Sequence, residues 1–164
     1  MPNLTPEKEQ EILDALAAKL AAIEGIDNIV TDDFYTDSKH DVLDRLTVQN
    51  SDDETEIKYC YLTFQSFEDS TTDGCDDNPV VFLVYNAHLM WQYKPARSDG
   101  STPQKDLKRL VINLRNKFLQ KNRTLAENCE HLPLKQNNFI ILGDDPLTDV
   151  EGYYVDLQIK VEIT

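Results

Sequence analysis

Asp156, Gln158 and Lys160 occupy alternate positions in Asp156-Leu157-Gln158-Ile159-Lys160. On a strand, alternate residues share one face. A carboxylate, an amide and an ammonium on one face are groups with which two-metal nucleases hold divalent ions and a water. Asp145 is the obvious partner carboxylate nearby. The ordinary reading is a solvated strand face, which carries polar residues in any sheet. A small metal-dependent nuclease using the Asp156/Lys160 face therefore stands only as an alternative.

Other chemistry is sparse. The histidines are His40, His88 and His131, and no His-x-x-x-His or Cys-x-x-Cys pair occurs. A zinc site has little support. Cys129-Glu130-His131 sets a thiol near an imidazole, but successive side chains diverge and seldom give nucleophile geometry. His88 falls on the less apolar face of a predicted strand and reads as a half-buried packing residue. Five glycines stand singly, with no phosphate-cradling loop and no Gly-x-Ser-x-Gly elbow. The acidic stretch from Asp32 to Glu56 lacks the ligand spacing of a calcium loop and reads as a solvated rim. The sequence predicts no catalytic residue, no metal and no cofactor.

Two helices and several strands must position these residues. Thr5-Pro6 supplies a cap and a first-turn proline, and Ile12, Leu13, Leu16, Leu20 and Ile23 follow at helical spacing. A helix over 6–24 is predicted, with Gly25 as its stop. Thr102-Pro103 repeats that opening. Leu107, Leu110, Val111, Leu114 and Phe118 mark a second helix ending near Gln120.

Short strands are expected at Ile29-Val30 and Leu46-Thr47-Val48. Residues 57–67 read as a strand apolar on both faces, and 80–93 as a long strand pairing with it antiparallel. Loop is expected from Asn122 to Asn138, then a short strand at Phe139-Ile140-Ile141-Leu142. The clearest pattern is the last: Tyr153, Val155, Leu157, Ile159, Val161 and Ile163 alternate with polar residues, specifying a half-buried strand. The expected fold class is a single α+β domain over 1–164: a mostly antiparallel sheet covered by two amphipathic helices, in the order α-β-β-β-α-β-β.

The chain's 164 residues suffice for one core. With 40% hydrophobic residues it is too apolar to be disordered. No apolar run approaches a membrane span, and no secretory signal is visible at Met1-Pro2-Asn3-Leu4. Three cysteines at unrelated spacings suggest a reducing compartment. A net charge of −14 argues against a general nucleic-acid coat.

That charge is unevenly placed. Between Lys94 and Arg123 stand nine basic residues against two acidic, +7, and the remainder holds 7 basic and 28 acidic, −21. Two readings follow. The basic helix pairs with acidic loops of its own chain, or copies meet basic face to acidic rim in a head-to-tail contact that can close a ring.

The opening helix, the long strand Val80–Tyr93, the helix Thr102–Gln120 and the closing hairpin ending in Tyr153-Tyr154-Val155-Asp156-Leu157-Gln158-Ile159-Lys160-Val161-Glu162-Ile163 give a layout that resembles the tail terminator (tail completion) proteins of tailed bacteriophages. The resemblance rests on element order and on the closing strand. It implies a structural virion protein, assembled in the bacterial host cytoplasm, that forms a homo-oligomeric ring, a hexamer by resemblance. Its partners would be the tail tube protein and the head–tail connector or neck, with DNA only in transit through the lumen and no membrane. The family has no catalytic residues to transfer. The subunit-interface candidates are Lys105, Lys108, Arg109, Arg115 and Lys117 on the basic helix, and Asp156, Lys160 and Glu162 on the closing strand, whose margin is expected to be an unpaired edge. Another head–tail joining or neck protein, and a monomeric binding module, remain as alternatives.

Overall fold

Thr5 and Thr102 each start a helix as their types predict. Each sits in extended backbone, accepts at its hydroxyl from the backbone N–H three residues on (3.2 Å, from Lys8 and Lys105), and is followed by proline. These helices of the computed structural model are α1 (Pro6–Ala21) and α3 (Pro103–Phe118). The structure describes residues 4–31, 39–70 and 80–164. The expectations about Asp32, Asp33, Asp37, Gly74 and Cys75, and about the side chain of His40, lie outside the described residues.

Between the helices run β1 (Ile29–Val30), α2 (Lys39–Arg45), β2 (Thr47–Gln49), β3 (Thr55–Ser70) and β4 (Val80–Gln92). After α3 come β5 (Thr124–Ala126), β6 (Cys129–His131), β7 (Lys135–Gln136), β8 (Ile141–Asp144) and β9 (Glu151–Ile163). The α+β class holds. The order differs from expectation by the short helix α2 and by three strands, β5 to β7, inside the predicted loop 122–138. These pieces are two, three or seven residues long, too short to register a period.

The centre of the sheet is antiparallel β3–β4–β9. One margin carries β1, parallel to β3 at Cys60 and Tyr61, and β2, antiparallel to β3 at Thr55–Ile57. On the other margin β9 is lined in turn by β6, β7 and β8. The closing strand is therefore interior, which corrects the expectation of a free edge there. It is the partner of every strand that follows α3 except β5.

Alternation sorts the two faces. Cys60, Leu62, Leu83, Tyr85, Ala87, Leu89, Trp91, Val155, Leu157, Ile159 and Val161 pack under α1 and α3, joined by Ile12, Leu16, Leu20, Leu107, Leu110, Leu114 and Phe118. This is the main core, and it follows from strand period two meeting helix period 3.6. A second cluster lies on the reverse face: Val30, Val42, Leu46, Tyr59 and Met90, closed over by Leu147, Val150 and Tyr154. At residues 88 and 156 this reverse face turns polar.

Candidate functional site

His88 lies mid-strand on β4, facing the reverse side, in register with Asp156 of β9 and Tyr61 of β3. Its Nδ1 is 2.8 Å from Asp156 Oδ1 and its Nε2 is 2.7 Å from Asp145 Oδ1. Asp145 opens the turn between β8 and β9 and is wholly buried. Its other oxygen, Oδ2, accepts from the Tyr59 hydroxyl (2.5 Å), the Thr148 hydroxyl (2.6 Å) and the Thr148 backbone N–H (3.2 Å). Asp156 accepts from the amides of Asn86 (3.1 Å) and Asn138 (3.0 Å), while its own N–H donates to Asn138 Oδ1 (2.7 Å).

A ring nitrogen facing a carboxylate donates to it, so an imidazole facing one at each nitrogen carries both protons. Burial alone would push the His88 pKa down. The hydrogen bonds to Asp145 and Asp156 and the charges of both outweigh burial and raise it to about 9. Burial likewise works against ionised Asp145 and Asp156, yet the donors around each hold both below the usual carboxylate range. Tyr59 is pushed up, by burial and then by Asp145, and stays a phenol. The cluster is thus an imidazolium between two carboxylates. Every strong acceptor is matched to a donor, and neither ring nitrogen has a lone pair for base catalysis or metal ligation. It ties together the centre of the sheet, the 145–150 turn, Tyr59 and the segment at Asn138, and acts as a brace.

A second buried charge cluster locks the segment after β4. Arg97 reaches Glu56 with Nη2 (2.7 Å) and Asp106 with Nη1 (2.6 Å). Glu56 and Arg97 are both buried. Beside them, residues including Asn50, Lys58, Asp106 and Arg109 line a cleft of about 290 Å³. Lys58 pairs with Asp27 at 2.8 Å and lies over the Trp91 ring, 4.3 Å from its centroid.

The structure separates the residues of the nuclease alternative. Asp156 is drawn to His88. Lys160 instead reaches across β4 to Glu68 of β3 at 2.8 Å. Asp145 does approach Asp156, but with the His88 ring between them. Among the described residues no group of three His, Cys, Asp or Glu side chains is arranged to hold a metal ion. Cys60 is buried, which raises its thiol to about 12. His131 is also buried, and desolvation lowers it to about 4; it donates from Nδ1 to the Leu132 carbonyl (3.2 Å), and Lys19 approaches its Nε2.

The interface candidates on α3 all face solvent: Lys105, Lys108, Arg109, Arg115 and Lys117 are exposed. Of the nine basic residues between 94 and 123, Arg97 alone makes an ion pair with a described residue. Among the described residues, then, no acid of the same chain pairs with the basic side chains of α3. Asp156, Lys160 and Glu162 lie half-buried on the reverse face of an interior strand.

Sequence reasoning missed the free margins. Among the described residues β8 pairs only with β9, and Leu142 is 51% exposed; Phe139, just before it, is 88% exposed. On the far side, among the described residues, β3 beyond Tyr61 pairs only with β4, and Phe64 and Phe67 are exposed there. Apolar residues at strand positions that gain no cover were the available signal. No helix among the described residues is long and apolar enough to cross a membrane. Compared with family models and with curated proteins, the chain matches none.

Proposed function

We propose that this protein is a structural virion component, a ring-forming tail terminator that caps the tail tube of a tailed bacteriophage and joins it to the head connector, catalysing no reaction. The observation that carries this reading is a pair of sheet margins, β8 and β3 beyond Tyr61, that are unpaired among the described residues and bear exposed apolar side chains. β8 lies beside the Gly152 end of β9, and the free half of β3 beside the Val80 end of β4, so the two margins are at opposite ends of the central strands. An unpaired edge is a template for another chain. Two different edges on opposite sides make a head-to-tail contact, which closes when its rotation allows. Diagonal placement suits closure, because strands joined into a closed sheet tilt and stagger.

Exposed Phe64, Phe67, Phe139 and Leu142 supply apolar area at both margins. The acidic remainder of the surface suits a bore through which DNA passes without being held. Another neck or head–tail joining protein would share the ring but not the effect on the tube.

The test is direct. The purified protein is mixed with polymerising tail tube protein and viewed by negative-stain microscopy, alongside its mass in light scattering. Rings of several 18.8 kDa subunits and tubes of arrested length, each with a cap at one end, are expected. Rings that leave tube growth unchanged favour the neck alternative. A monomer at every concentration overturns the reading.

A further inference from the structure

The outward faces of α1 and α3 carry opposite charge. On α3 and its C-cap, Lys105, Arg109, Ile112, Arg115 and Leu119 recur at steps of three and four, with Lys108 beside them, all exposed, Ile112 at 50% and Leu119 at 42%. Such steps place residues on one helical stripe. On α1, Glu7, Glu11, Asp14, Ala18 and Ala21 form the same kind of stripe, also exposed. One stripe is cationic with two large apolar side chains; the other is anionic and ends in small, flat alanines. Within one copy they do not neutralise each other. Glu11 pairs with Lys8 of its own helix at 3.3 Å, Asp14 accepts from Gln10 at 2.9 Å, and Asp106, the acid nearest the basic stripe, is held by Arg97.

We infer that the basic stripe of α3 docks on the acidic stripe of α1 in a second copy of this chain. The inference rests on the head-to-tail reading above and names a contact for it in the helix layer. Charge complementarity selects the occupant and its orientation. With Lys105 and Arg109 set against Glu7 and Glu11, Leu119 falls at Ala21, an apolar contact that a phosphate backbone would not offer. The chain's net charge of −14 repels a polyanion at long range, while screening at physiological salt confines each stripe's own field to about 8 Å. The contact is heterologous, so each copy offers one stripe and receives the other.

Two charge-reversed proteins test it: K105E/R109E/R115E, and E7K/E11K/D14K. The first has two acidic stripes and the second two basic ones. Each is expected to lose self-association, by at least tenfold in the concentration required, while keeping wild-type circular dichroism. Mixed in equal amounts, they are expected to co-assemble, because each then meets its opposite. Salt near 1 M is expected to dissociate both the mixture and the wild type.

A misfolded variant would not be rescued by mixing. Assembly of each variant alone, at wild-type concentration, overturns the inference and leaves the ring intact. Retention of wild type but not of K105E/R109E/R115E on duplex DNA, with unchanged mass, identifies the stripe as a phosphate-binding surface and also overturns it. A wild-type protein that never self-associates overturns both readings.

Discussion

Nε2 of His88 and Oδ1 of Asp145 stand 2.7 Å apart, both shielded from water, where the middle of the sheet meets the turn before β9. The bond joins residues 57 positions apart. Asp145 also accepts from Tyr59 and Thr148 at its other oxygen, and His88 has Asp156 at its other nitrogen. Breaking such a pair leaves an uncompensated buried charge, so the cluster is costly to perturb from either side.

The first consequence is a stability maximum near neutral pH. His88 keeps its proton in the fold to about pH 9, whereas an unfolded histidine gives it up near about 6.5. Its contribution is complete below about pH 6.5 and is lost as pH rises to about 9. His131 has the opposite sign. It is neutral in the fold down to about 4, so between about 6.5 and 4 only the unfolded chain takes up a proton, and stability falls with falling pH. The lowered Asp145 and Asp156 add loss in stronger acid. Each histidine limb corresponds to roughly 3 kcal/mol. Urea titrations at several pH values are expected to show the dome. H88Q should flatten its alkaline limb and H131Q its acid limb. An alkaline limb unchanged in H88Q would contradict the assignment.

Arg97 gives a second prediction. It is the cation for buried Glu56 and also binds Asp106 of α3. R97A leaves a buried carboxylate without a partner, and a loss of about 3–5 kcal/mol is expected in urea unfolding. R97K keeps the charge but cannot span two carboxylates with separate nitrogens, so it should recover only part of that loss.

Two glycines separate space from mere position. A Cβ on Gly152 would sit 2.4 Å from the Trp91 carbonyl oxygen and 2.7 Å from the end of Met90, at the tight crossing of β4 and β9. A Cβ on Gly143, across the β8–β9 hairpin, would meet nothing within 4 Å. G152A is expected to cost about 1–3 kcal/mol, and G143A within about 0.5 kcal/mol of zero. Thermal melts of the two purified variants check the contrast.

The legible parts of the chain were those with long periods or paired punctuation. Six alternating apolar residues from Tyr153 to Ile163 and the two Thr-Pro helix starts each specify an element without help from distant residues. The short strands β5 to β7 are held by pairing with β6 or β9, which no local pattern announces. The brace was hidden for the same reason. His88, Asp145 and Asp156 fall on three separate elements, and only Asp145-Pro146-Leu147-Thr148, a carboxylate three residues before a hydroxyl, hinted that Asp145 is pinned locally. The charge segregation of 94–123 was visible in the sequence, but that only Arg97 among its cations pairs with a described acid required the fold.

The free margins carry the last prediction. A lysine at an edge opposes pairing with another chain while leaving the fold itself little changed. L142K on the β8 margin and F67K on the β3 margin are each expected to shift stability by under about 0.5 kcal/mol, since both sites are more than half exposed. Each should abolish the ring, because a head-to-tail assembly stops once one of its two edges is blocked. Their mixture distinguishes this geometry from a symmetric one. The L142K copy retains a usable β3 margin and the F67K copy a usable β8 margin, so one of each can join. Of the β8 and β3 margins, the product then presents only the blocked ones. Light scattering of the mixture is expected to give two chains and no more. Full rings from either variant alone would place the contact elsewhere.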